Sequence, residues 1–229
     1  MMIKNDELWE GCKLVDEEDL SVDSSRITIR DCAFTNIHWF ANEFTLSNSK
    51  IQTTLFEDCH SIGPHWVNCQ IEELTIKKGT FAYWTLEKCV ARGLVINNAA
   101  TQSWKAIGSK IEIAVIAGRS DAAGFSATEC DLLMFYDVKT FEVGRFSLES
   151  CKGCVFFTRN SLPRVLRNES PFVKYYFLSE EQMEEFPMSP TKRIIAQKTW
   201  LSKGDYLGAK KLSLKAGEVY SLKDLEKLI

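Results

Sequence analysis

No stretch of this chain approaches the roughly 18 consecutive apolar residues that a membrane-spanning helix requires, so the sequence is not expected to contain one. Strong charge of either sign is also missing: 28 Lys+Arg against 31 Asp+Glu leave a formal net charge of −3. A balance this even gives no bulk electrostatic reason to expect nucleic acid or an anionic membrane as partner. Histidine is scarce, with three residues, which confines imidazole chemistry to a few positions. There is no glycine-rich phosphate loop and no serine nucleophile elbow. The segment Met1-Met2-Ile3-Lys4-Asn5-Asp6-Glu7 lacks the charged-then-apolar order of a secretion signal, so a cytoplasmic protein is expected.

What is present is a repeat. A small residue is followed two places later by an apolar one in Cys12/Leu14, Cys32/Phe34, Ser49/Ile51, Cys69/Ile71, Cys89/Ala91, Ser109/Ile111, Cys130/Leu132 and Cys151/Gly153. The spacings are 20, 17, 20, 20, 20, 21 and 21 residues, a period that marks a solenoid. Most of the eight cysteines occupy this one slot, so they read as reduced, buried, small side chains in a cytosolic environment and not as a disulfide framework. With 45% hydrophobic residues the chain has material for a real core.

Counting from the small residue as zero, positions −5 and −3 read Ile27/Ile29, Phe44/Leu46, Pro64/Trp66, Trp84/Leu86, Trp104/Ala106, Phe125/Ala127 and Phe146/Leu148. Thr28, Thr45, Thr85, Ser126 and Ser147 lie between them, which is the apolar-polar-apolar alternation of a strand. Positions +5 and +7 repeat the pattern in Ile37/Trp39, Leu74/Ile76 and Leu94/Ile96, and +10 and +12 do so more weakly in Gly79/Phe81. Four inward pairs five residues apart fill a coil of 20, so each coil is expected to have four sides and to stack on the next at roughly 4.8 Å. The expected fold is mainly β: a quadrilateral parallel β-helix of 7–8 coils over residues 1–158, followed by an α-helical C-terminal tail over 159–229.

These residues resemble the pentapeptide-repeat family, with Cys32-Ala33-Phe34-Thr35-Asn36 and Cys130-Asp131-Leu132 the closest units, over roughly residues 8–158. The resemblance implies a right-handed quadrilateral β-helix; related β-helices such as the tubulin-cofactor-C type fit the same pattern. Left-handed hexapeptide helices do not, because their coils are multiples of six residues. The most irregular coil is expected between Phe56 and Val67, and function-bearing corners at 97–103, 118–124 and 138–145. Residues 5–20, acidic in character, are expected to cover the open end of the sheet.

In the tail, Pro163, Pro171, Pro187 and Pro190 interrupt the pattern. Ser179-Glu180-Glu181-Gln182 is a capping-box helix start, and Ser189-Pro190 opens a helix to about residue 202. Asp205 caps a further predicted helix to about Ala216, and Ser221-Leu222-Lys223-Asp224 begins the last. Trp200, Gly204, Tyr206, Ala209 and Ala216 resemble one tetratricopeptide hairpin in spacing, which supports a helical hairpin here. The tail has 13 Lys/Arg against 9 Asp/Glu, net +4, and residues 1–158 have 15 against 22, net −7. It reads as a cap or interaction segment, with a homodimer through its helices as one arrangement.

Candidate chemistry is sparse. Asp58, Cys59, His60, His65 and Cys69 are close in sequence, so His60 and His65 are the candidate metal ligands and Cys59 the candidate nucleophile. Against both, Cys59 and Cys69 fall in inward columns, so neither a metal nor another cofactor is expected. Cys151-Lys152-Gly153-Cys154 has redox-motif spacing but lies in a coil, which favours a structural reading. Trp84 and Trp104 fall in an inward column and read as core. Trp9, Tyr83 and Tyr136 are the candidate exposed aromatic contacts, and Lys192, Arg193, Lys210 and Lys211 the candidate basic face. The expected function is non-catalytic binding of a protein partner, as in a bacterial regulator, effector or toxin-neutralising protein; DNA mimicry against a topoisomerase and an enzyme using residues 58–69 are the rivals.

Overall fold

The computed structural model describes residues 8–15, 22–25, 28–35, 37–39, 44–100, 104–117, 126–136, 153–179, 181–182 and 208–229, with the backbone alone for 22–25, 38–39 and 126–136. Short strands of alternating burial wind into a parallel β-solenoid of about six turns. Successive turns pair along four parallel ladders. The first joins Leu8–Glu10, Thr28–Arg30, Lys50–Gln52 and Gln70–Ile71, then runs into the long strands Val90–Asn97, Lys105–Ala117 and Ser126–Tyr136. The second joins Lys13–Val15, Ala33–Thr35, Thr54–Glu57 and Leu74–Lys77 before entering the same long strands. The third joins His38–Trp39, His60–Ile62 and Thr80–Ala82, and the fourth Val22–Ser25, Phe44–Ser47, His65–Val67 and Thr85–Glu87.

This pairing corrects the register expected from the repeat. Phe34 pairs with Phe56, whereas Ile51 pairs with Ile29 and Ile71. Cys32 and Ser49 therefore sit at neighbouring corners, and the 17-residue spacing between them is not a short turn. The step from Thr28 to Lys50 is 22 residues, and the next, to Gln70, is 20. The extra length lies between His38 and Thr45, seven residues where the next turn uses five from His60 to His65. Residues 56–67, expected to be irregular, form ordinary rungs.

The corners explain the small residues. Asp31, Asn48, Thr53, Asp58, Asn68, Lys78, Tyr83, Lys88 and Asn98 turn the chain with φ between 45° and 61°. The left-handed residues keep their own ladder bonds, as the Asn68 N–H does to the Glu87 carbonyl at 2.9 Å; where Cys or Ser follows, its side chain adds further bonds to the backbone. Cys89 Sγ donates to the Glu87 carbonyl at 3.4 Å and to the Trp66 carbonyl of the preceding turn at 3.3 Å, and accepts from the Cys69 N–H at 3.3 Å. Ser109 does the same with oxygen: Oγ donates to Leu86 at 2.9 Å and accepts from the Cys89 N–H at 2.9 Å. Cys32, Cys59 and Cys69 bond in the same way, each to the carbonyl two residues before it and to one in the previous turn. At these five positions the slot holds a small side chain with a hydrogen-bonding group, whereas Gly79 and Ala99, which continue the column of Cys59, carry none.

Inside the turns, aromatic rings form a continuous stack. Phe34 lies 4.8 Å from Phe56, Phe44 5.2 Å from Trp66, Trp66 4.9 Å from Trp84, and Trp84 5.4 Å from Trp104. Trp84 and Trp104 are core, as their column predicts. Each such pair contributes about 0.5–1.5 kcal/mol beyond area burial. The indole N–H groups of Trp66 and Trp84 find no hydrogen-bond acceptor. The Trp66–Trp84 rings cross at 76°, so one ring edge meets the other's face, a weak N–H···π substitute at best.

The second ladder does not stop at Thr158. Cys154–Phe157 continues it, Lys174–Phe177 pairs in parallel with Cys154–Phe157, and Lys210–Leu212 closes it antiparallel. The helix predicted from Asp205 to Ala216 is thus strand over its described middle. The backbone edge of Lys174–Phe177 needs partners, and that requirement overrides local helix propensity. Of the expected tail helices, Leu222–Glu226 is present, capped by Ser221, whose Oγ accepts the Asp224 N–H at 3.3 Å. The capping box at Ser179 and Gln182 also forms, with bonds of 2.9 and 3.2 Å. Residues 189–202 and Gly204 lie outside the described residues. Residues 8–15, expected within a covering segment, are rungs of the first turn.

Two substitutions test the corner rule by urea denaturation. Cys89→Ser, which copies Ser109, is expected to shift stability by less than about 1 kcal/mol, and Cys89→Ala to lose about 1–3 kcal/mol by leaving the buried Cys69 N–H without its acceptor and removing the thiol's bond to the Trp66 carbonyl; equal losses would remove the hydrogen-bonding role. At Gly79, with φ +73°, an added Cβ would lie 2.0 Å from the Cys59 carbonyl oxygen. Gly79→Ala is expected to cost at least about 3 kcal/mol, and a midpoint near that of the parent would contradict the close approach.

Candidate interaction surface

Strand alternation divides the described side chains into an inward set that carries the thiols and an outward set that carries the charges. Along the first ladder the outward positions one residue beyond the inward apolar one read Glu10, Arg30, Gln52, Glu72, Arg92 and Glu112. Arg30 Nη1 lies 3.0 Å from Glu10 Oε1, and its Nε donates to Gln52 Oε1 at 2.8 Å. Arg92 reaches Glu72 at 3.9 Å and Glu112 at 4.0 Å. On the second ladder Lys77 Nζ lies 2.8 Å from Glu57 Oε1, and that contact with the Lys77 ammonium holds the Glu57 carboxyl below its usual range. The rows are thus cross-linked from turn to turn by pairs of opposite charge.

The candidate metal and nucleophile residues separate. Cys59 and Cys69 point inward and are buried, while His60 and His65 point outward and are half-buried. His60 Nε2 is 4.0 Å from Asp58 Oδ1, and His65 Nε2 is 3.5 Å from Glu87 Oε2. Among the described residues no group of three or more His, Cys, Asp or Glu is placed to hold a metal ion. Burial pushes the Cys59 thiol up to about 11, and its neighbour Cys89 together with burial pushes Cys69 up as well. A thiol so disposed is held as a thiol, the form that the corner needs and a nucleophile does not. Six cysteines are described, all free; Cys12 is the one partly exposed. Cys154 is buried in its strand, and Cys151 lies outside the described residues.

Of the candidate contact residues, Trp9 is corrected. It is only 7% exposed, an inward residue of the first ladder with its ring 6.1 Å from Phe34. By the repeat count Trp9 stands three residues before Cys12, the inward position that Ile29 holds before Cys32, so its burial could have been read from the series. Tyr83 is 58% exposed at a corner with φ 58°. The backbone of Tyr136 ends a strand, and its side chain is outside the described residues, as are Lys192 and Arg193. Lys210 and Lys211 are exposed, on a strand and not on a helix.

Two surface features were missed. The charged column follows the same 20-residue period as the cysteines, in Glu72, Arg92 and Glu112, and could have been found by reading outward positions with equal care. A groove of about 550 Å³ at the C-terminal end, lined by Pro171–Tyr175 and Lys211–Lys215, had no sequence signal, because its two walls are about 40 residues apart. No described helix is long and apolar enough to cross a membrane. Comparison with protein-family models, with curated proteins and with solved structures finds no match to this chain.

Thiol accessibility checks the inward assignment. In the folded full chain near neutral pH, iodoacetamide is expected to modify Cys12 first among the described cysteines and to reach Cys59 and Cys69 only after unfolding. Rapid modification of Cys59 in the native state, located by peptide mass spectrometry, would reinstate it as a nucleophile.

Proposed function

We propose that the protein is a non-catalytic, protein-binding β-solenoid: a right-handed, four-sided helix of the pentapeptide-repeat kind, closed by its C-terminal segment, that presents preorganised outer rows to a protein partner. The observation that carries this reading is the inside-outside division. Cys32, Cys59, Cys69 and Cys89 are committed to corner hydrogen bonds, and the outward rows are fixed side by side at strand spacing. A surface whose side chains are already held in register loses little conformational entropy on binding. A regulatory, effector or toxin-neutralising role in a bacterial cytoplasm suits such a protein.

DNA mimicry is less favoured, because a mimic needs uncompensated negative charge along the rod, and Glu10, Glu57, Glu72 and Glu112 each lie within 4.0 Å of an arginine or lysine. An enzyme built on residues 58–69 is less favoured because its thiols and imidazoles lie on opposite sides of the strand wall.

The experiment is capture from native lysate with the full chain, followed by reconstitution of the purified pair. A stoichiometric complex burying about 1,600 Å² is expected, unchanged by His60→Ala with His65→Ala. Failure to form any saturable complex, or loss of function in the histidine variant, would sink the reading.

A further inference from the structure

We infer that the C-terminal groove is a docking site for an extended acidic peptide segment of a partner protein, an assignment that rests on the protein-binding reading above. The groove lies between residues 171–175 and 211–215. Its floor is Tyr175 and Leu212, both buried and paired with each other across the antiparallel rung. Its rim carries Phe172, 61% exposed, held by a bond from its N–H to Ser170 Oγ at 3.2 Å. Buried Asn168 ties the two walls together: its N–H donates to Glu218 at 3.1 Å, its carbonyl accepts from Gly217 at 2.7 Å, and Nδ2 donates to Leu214 at 3.4 Å. The groove is therefore preformed.

Charge selects the occupant. Arg30, Lys77 and Arg92 on the solenoid wall are each answered by a glutamate of an adjacent turn. Lys174 and Lys211 line the groove, Lys210 adjoins it, and among the described residues none of the three has an ion-pair partner. Among the described residues Lys215 reaches the exposed Glu218 alone, at 3.7 Å. Unanswered lysines around an apolar rim match a segment that supplies carboxylates and one large apolar side chain to pack on Phe172. Extended geometry follows from the strand Lys210–Leu212, which among the described residues pairs on one side only, with Lys174–Phe177. Its other edge offers backbone groups to an added strand.

The test is panning of a displayed library of short random peptides against the full chain, with Lys174→Glu plus Lys211→Glu as the counter-target. Sequences rich in Asp and Glu with an aromatic or aliphatic residue are expected to be enriched. A selected peptide, measured by fluorescence anisotropy, is expected to lose at least about tenfold in affinity in the double variant and severalfold in Phe172→Ala, and to keep its affinity in Lys50→Glu plus Lys105→Glu. Circular dichroism of each variant checks that it remains folded. Enrichment without acidic residues, equal loss in the Lys50/Lys105 control, or equal binding of inorganic polyphosphate independent of Phe172 would overturn the assignment. If the full chain still captures its partner while the groove selects nothing, the groove assignment falls and the protein-binding reading stands.

Discussion

Everything in this molecule depends on how a chain turns a corner every five residues without leaving buried backbone groups unpaired. Each turn of the solenoid passes through left-handed residues, and just after such a residue the N–H groups of Cys69 and Cys89 bond to a side chain of the next turn and not to a carbonyl. A buried carbonyl or amide left without a partner costs about 1–3 kcal/mol, and the solenoid has several corners per turn. Cys32, Cys59, Cys69, Cys89 and Ser109 meet the demand by bonding to the turn below as well as to their own chain. The thiols are thus structural hydrogen-bonding groups that also happen to be apolar enough for a core. Cys and Ser interchange in the column of Ser49, Cys69, Cys89 and Ser109, whereas the column of Cys59 continues through Gly79 and Ala99, whose side chains cannot hydrogen-bond.

The corner requirement also organises the interior. Because the slot residues are small, the neighbouring inward positions must fill the space, and they do so with stacked rings from Phe34 to Trp104. The filling is not ideal in polar terms: Ser61 and the indoles of Trp66 and Trp84 are buried without hydrogen-bond acceptors. Their burial indicates that ring volume, and not polar satisfaction, decides what occupies the axis.

The repeat itself, its strand character and the inward place of Trp84, Trp104 and Cys59 were legible in the sequence, because alternation and a 20-residue period are one-dimensional signals. Register was not. Cys32 and Ser49 look alike in their local contexts, and a two-residue insertion makes neighbouring corners mimic the same corner. Trp9 was legible and was overlooked, since it precedes Cys12 by the same three residues that separate Ile29 from Cys32. The strand Lys210–Leu212 was hidden for a different reason: its conformation is dictated by the open edge of Lys174–Phe177. The walls of the groove meet only after the tail folds back, so no local pattern could reveal it.

The insertion between His38 and Thr45 has a meaning beyond register. The rungs before it keep a 20-residue step, and so do those after it as far as the strand Lys105–Ala117. In the vocabulary of crystals it is a point defect whose strain field dies within one lattice plane, because each rung knows only its nearest neighbours. A rod built this way can acquire new outward loops at its corners one at a time, leaving both the axial order and the loops on other corners undisturbed.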